Sequence, residues 1–150
     1  MATIGIDSTG KPDSLPMKLV ASRGTECRVI EVTHIPREIK IRYRHWKQIA
    51  YACYAFYAIR PLFRKNPLDT VLIDRDFDEI GLERVTTYVR HLIKEYFKLP
   101  HPCLVEAGDD HDLPVHDADR LCSAARRGKL KSSLHNPSID REMELLKPVL

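Results

Sequence analysis

The sequence holds no glycine-rich phosphate loop, no C-x-x-C pair and no internal repeat. Without the first, there is no sign of the backbone cradle that P-loop and dinucleotide-binding proteins use. Without the second, neither a zinc ribbon nor a thioredoxin-like redox pair is indicated. No apolar run approaches the roughly 20 residues of a membrane span, so no membrane partner is expected. The start, Met1-Ala2-Thr3-Ile4, has no basic region followed by an apolar segment and cleavage site. No secretory signal is read there, and a cytoplasmic location is expected. Cys27, Cys53, Cys103 and Cys122 are far apart and each sits in an apolar pattern. They read as buried thiols of a reducing compartment rather than as disulfides or zinc ligands.

What the chain does contain is enough apolar material for one domain, with 43% hydrophobic residues in a length of 150. The formal net charge of +3 is mild and permits contact with nucleic acid without requiring it. The distribution is more informative. Arg37, Lys40, Arg42, Arg44 and Lys47 form one basic cluster, and Arg120, Arg126, Arg127, Lys129 and Lys131 form another. Such clusters either grip phosphates or serve as solvated faces.

Three strands come first, over residues 2–7, 17–22 and 27–33. Asp7-Ser8-Thr9-Gly10 has the spacing of a type I turn, and residues 11–16, with Pro12 and Pro16, read as loop. Short connections between the strands indicate an antiparallel meander. Trp46, Ile49, Ala50, Cys53, Phe56 and Tyr57 recur at helical spacing, giving a helix over 43–60 that is either buried or covers a partner. Val71-Leu72-Ile73 marks a buried strand over 69–74, and residues 80–98 form an amphipathic helix. A fifth strand over 103–106, an acidic loop around Asp109, Asp110 and Asp112, and a helix over 115–127 follow. The order is β-β-β-α-β-α-β-α, an α/β fold with a mixed five-stranded sheet and helices on its faces. The domain is expected over 1–128. Residues 129–150 then form a tail or arm, with a connector over 129–136 and a short helix or subunit-docking segment over 139–146.

Three acids fall at notable places in this order. Asp7 and Asp74 end the first and fourth strands, and Asp119 opens the last helix. Carboxylates so placed can converge, and hard cations such as Mg²⁺ or Mn²⁺ prefer oxygen ligands. Asp119 lies beside Val115 and Cys122 on a helical wheel, at the edge of the apolar stripe. His116, three residues earlier, is a candidate for orienting water or protonating a leaving oxygen. Each has a structural alternative. Asp7 would cap the Asp-x-x-Gly turn, Asp74 would cap a helix, and Asp119 would complement a helix dipole. Asp117 points away from Asp119, and Arg75 reads either as a phosphate contact or as an ion-pair partner of its acidic neighbours.

The succession over residues 2–127 resembles the RNase H-like superfamily. Asp7 matches the first-strand Asp of that superfamily. Asp74 matches the acid at the end of the fourth strand in RuvC-type members, and His116-Asp117-Ala118-Asp119 is similar to their late H-x-x-D or D-x-x-D motif. Asp7-Ser8-Thr9-Gly10 is also similar to the Asp-Glu-Ser-Gly signature of small uncharacterised proteins of the superfamily, with Ser8 in place of the Glu. Ile6-Asp7-Ser8-Thr9-Gly10 and Asp74-Arg75-Asp76-Phe77-Asp78 further resemble segments of transposases with an Asp-Asp-Glu site. The resemblance implies a metal-dependent nuclease in which Asp7, Asp74 and Asp119 hold Mg²⁺ or Mn²⁺ and His116 assists. Lys40, Arg42, Arg44, Lys47, Arg126 and Arg127 would contact nucleic acid. It also implies a homodimer, as is common among junction-cutting relatives. The competing readings are a catalytically inactive module that binds nucleic acid or protein, a transposase-related remnant, and a small assembly protein joined through its aromatic helix and tail.

Overall fold

Alternation of side chains builds the first three strands, β1 (Thr3–Lys11), β2 (Ser14–Arg23) and β3 (Glu26–Val32). Ile4, Ile6, Met17, Leu19, Ile30 and Val32 all point into one core, and every second residue faces the other way. The computed structural model describes residues 3–24, 26–65, 69–74, 81–108, 120 and 134–150. Within them β1, β2 and β3 form an antiparallel meander, and β4 (Thr70–Asp74) and β5 (Leu104–Gly108) add in parallel beyond β1. A two-residue strand, β6 (Leu134–His135), pairs in parallel with β3. The order across this mixed, six-stranded α/β sheet is β5-β4-β1-β2-β3-β6.

The first departure from the sequence reading is at Asp7–Gly10, which is not a turn. The strand runs on to Lys11, and the chain reverses at Pro12-Asp13, with Lys11 paired to Ser14. Residues 14–16 therefore belong to β2 and not to a loop. Gly10 makes this possible. Its φ is +76°, the register shifts between Thr9 and Lys11, and a Cβ on Gly10 would run into the Pro16 carbonyl oxygen. The glycine therefore marks a bulge inside the ladder.

The second departure concerns the helix expected over 43–60. Helix α2 begins at Trp46 and runs to Ile59, and a separate short helix α1 spans Arg37–Arg42. Tyr43 is extended between them, with φ −121° and ψ 128°. The apolar stripe concealed α1 because only Ile39 of its six residues is buried. In α2, ten of 14 residues are buried, Tyr51, Tyr54 and Phe56 among them. Those three aromatics are therefore core, while Trp46 and Tyr57 of the same helix are half-buried. Helix α3 (Leu82–Phe97) packs across α2 through Leu82, Val85, Val89, Leu92 and Ile93.

The third departure is β6, which lies within the expected connector over 129–136 and makes six strands rather than five. Two residues are too few for strand periodicity to show in a sequence. Asn136, in a left-handed conformation, clips this segment to the exit of β3. Its amide N–H donates to the Glu31 carbonyl, and its side-chain oxygen accepts from the Thr33 and His34 amides at 2.8 and 3.3 Å. Helix α4 (Asp140–Leu146) then packs on α3 with Ile139 and Leu146 buried. A single 3-10 turn, Lys147–Val149, follows it. The helix expected over 115–127 falls outside the described residues but for Arg120. Among the described residues no helix is long and apolar enough to cross a membrane.

Candidate metal centre on two parallel strands

Register places the first two acids. In the β1–β4 ladder Ile4 faces Val71 and Ile6 faces Ile73. Asp7 and Asp74 are each one residue beyond the last of these pairs, so they stand at one level on neighbouring strands about 4.8 Å apart. Ile6 and Ile73 point into the helix-covered core. By alternation both carboxylates point to the opposite face of the sheet. Asp74 in turn pairs with Gly108 of β5, where a residue without a side chain leaves room beside it. Asp74 closes β4 as expected, at the edge where α/β sheets place their ligands, but Asp7 does not end its strand: β1 continues past it to Lys11 because the hairpin ladder with β2 goes on.

Both acids are nearly inaccessible, Asp7 at 4% and Asp74 at 3% exposure. One oxygen of Asp7 accepts the Ser8 amide at 2.8 Å, a bond that turns the carboxylate along its own strand. Two buried carboxylates at neighbouring positions repel unless a proton or a cation is shared between them or near them. The donor set is all oxygen and anionic, which suits a hard divalent ion. Two residues along the same face, Thr9 pairs with Lys18, and Lys18 pairs with Glu31. Lys18 and Glu31 form an ion pair at 3.6 Å, and His135 of β6 approaches Glu31 at 3.6 Å. This polar row was not singled out from the sequence. The signal available was a Lys and a Glu, each interrupting an apolar strand at a non-core position.

Topology also brings one basic cluster to this end. β3 runs parallel to β1, and α1 follows it after four residues. At the start of α2, Lys47 binds Asp13 of the β1–β2 hairpin at 3.1 Å, and the hydrogen bond from Lys47 holds the Asp13 carboxyl below its ordinary value. Lys40 and Lys47 flank the Trp46 ring at 5.4 and 5.9 Å, and Arg42 lies 5.7 Å from the Tyr43 ring. Lys40, Arg42 and Arg44 are exposed. His45 among them is held below its usual pKa by desolvation and then by Arg84 and Arg44. The carboxylates and these cations thus lie toward one end of the sheet, the cations on the helix-covered side and the carboxylates on the other. Asp119, His116, Arg126 and Arg127 lie outside the described residues, as do Arg75, Asp109, Asp110 and Cys122.

The described cysteines are free thiols. Burial pushes the Cys53 thiol well above its ordinary range and that of Cys103 up to about 11. Both therefore stay protonated near neutrality, which suits packing rather than nucleophilic chemistry. Cys27 is half-buried. The chain matches no protein-family model, and a search of curated proteins finds no match to it either.

Proposed function

We propose that this protein is an RNase H-like nuclease that hydrolyses phosphodiester bonds in nucleic acid with the help of Mg²⁺ or Mn²⁺. The observation that carries this reading is the pair of buried carboxylates, Asp7 and Asp74, at one level on adjacent parallel strands. The antiparallel meander followed by parallel strands accords with the superfamily order, and the exposed cations of α1 toward the same end of the sheet support a polyanionic substrate. Asp7 and Asp74 would hold the cation, with Asp119 as the further ligand that the sequence motif suggests. A bound divalent ion supplies a lowered pKa for water and charge stabilisation at the phosphorus oxygens. The chain's own part is positional. The β1–β4 ladder fixes the two carboxylates relative to each other, and the Ser8 amide orients one of them. Lys40, Arg42, Arg44 and Lys47 would draw the strand to this end, and His116 would manage a proton.

The test is cleavage of labelled RNA, DNA and branched junctions in Mn²⁺ or Mg²⁺. Wild type is expected to cut at least one substrate. Asp7→Asn and Asp74→Asn are expected to lose activity by about a hundredfold or more, since each removes an anionic ligand. Nucleic-acid binding that survives EDTA and both substitutions, without cutting, would establish the inactive binding module instead.

A further inference from the structure

At the other end of α2 the molecule carries a second, unrelated feature. The ends of α2 and α3, with β3 and β6, enclose a surface cavity of about 650 Å³. Because α2 starts beside the β1–β2 hairpin and runs back along the sheet, this cavity is at the opposite end of the helix from the basic cluster. Four cations line it, Arg28, Arg60, Lys65 and Lys98, and none of its described lining residues is acidic. Among the described residues Arg60 has a carboxylate partner, Glu142 at 3.4 Å, and Arg28, Lys65 and Lys98 form no ion pair. Like charges gathered in a cavity without acids favour a bound anion.

Two details sharpen this. The Arg60 guanidinium lies 4.6 Å from the half-buried ring of Tyr57 and 5.1 Å from that of Tyr96, and Arg141 also lies 4.8 Å from the Tyr96 ring. Rings and planar guanidinium groups gathered in this way are groups on which another flat ring stacks. The Nε of Arg28 is buried and meets no acceptor among the described residues, and an orphaned buried donor calls for one. Lys65 and Lys98 both have left-handed backbones, with φ of 59° and 54°. Lys98 is the left-handed residue that closes α3, and glycine suits both backbones, so either side chain can be removed without strain.

We propose that this cavity binds a nucleoside phosphate, with the base stacking against the Tyr57–Arg60–Tyr96 group and the phosphate held by Arg28, Lys65 and Lys98. The site is separate from the Asp7–Asp74 centre and does not depend on the nuclease reading. The same chemistry is offered by a free nucleotide and by the 5′-phosphorylated end of a single strand.

Calorimetric titration of the full chain in EDTA, which silences any metal centre, tests the assignment. The probes are AMP, ribose 5-phosphate, inorganic phosphate and a 5′-phosphorylated single-stranded oligonucleotide. AMP is expected to bind about tenfold or more tightly than ribose 5-phosphate, because only it can stack. The double variant Lys65→Gly, Lys98→Gly is expected to weaken AMP by about tenfold while leaving its thermal midpoint no lower than wild type, since glycine suits both backbones. An oligonucleotide that binds more tightly than AMP identifies a strand end as the occupant, and parity identifies a free nucleotide. Equal affinity for AMP and ribose 5-phosphate, no binding of either, or unchanged affinity in the double variant overturns the proposal.

Discussion

Glu142 illustrates how one residue can bind two elements at a cost. It is 1% exposed on α4, with one oxygen on Arg60 of α2 and the other without a hydrogen-bond partner among the described residues. Desolvation raises its pKa above the ordinary 4.5, against the lowering effect of a backbone hydrogen bond and of Arg60. A raised value means that the folded protein holds this proton more tightly than the unfolded chain does. The contribution is therefore full below 4.5 and is lost as the pH rises through the folded-state value. Glu142→Gln cannot titrate. The stability of wild type relative to this variant should be greatest in acid and should shrink toward neutrality. Thermal unfolding of both proteins across that range measures it, and a gap that widens with pH would mean that the Arg60 pair outweighs burial. Asp69 shows a different balance. Also 1% exposed, it accepts from Arg23 at 3.2 Å and from the Arg64 amide at 3.4 Å, so charge and backbone donors meet where the chain enters β4.

Among the elements, the long apolar and amphipathic ones were legible in the sequence and the short or irregular ones were not. α3 carries its core stripe at helical spacing, and β4 is an apolar run bounded by acids, so both emerge from pattern alone. The β1–β2 hairpin does not. Asp7-x-x-Gly10 imitates a turn, and Pro12 and Pro16 imitate a loop, because turn chemistry is a local signal and the continuing ladder is a tertiary one. α1 and β6 were hidden for a similar reason. One buries a single residue and the other has only two. Of the candidate site, Asp74 is at the strand end that the sequence indicates while Asp7 is inside β1, and their common level required the β1–β4 register, which a sequence does not state. Gly10 is where the hairpin's geometry is concentrated. Gly10→Ala should cost about 1–3 kcal/mol through its positive φ, before any relief of the contact with Pro16. Urea denaturation measures this, and a variant as stable as wild type would show that the bulge tolerates a side chain.

For the whole molecule, the C-terminal segment is structural. β6 extends the sheet, Asn136 fastens the exit of β3, and Ile139 and Leu146 enter the common core. Each of those two apolar side chains contributes about 1.5–3 kcal/mol on burial. A chain ending at residue 133 should therefore lose about 6 °C or more of its thermal midpoint. Scanning calorimetry of the two lengths checks this, and an unchanged midpoint would reduce the segment to an appendage. The two ends of the molecule also differ in character. One has buried carboxylates and exposed cations around Trp46, and the other sets cations beside half-buried rings with no acid among its described lining residues. The order of synthesis gives the Asn136 clip one more consequence. The amides of Thr33 and His34 are made early, yet their acceptor is added about a hundred residues later. Until then those amides have only water to bond, and the run into α1 is untied. The cationic edge is thus fastened only after the sheet and the long helices α2 and α3, which precede Asn136, have been made.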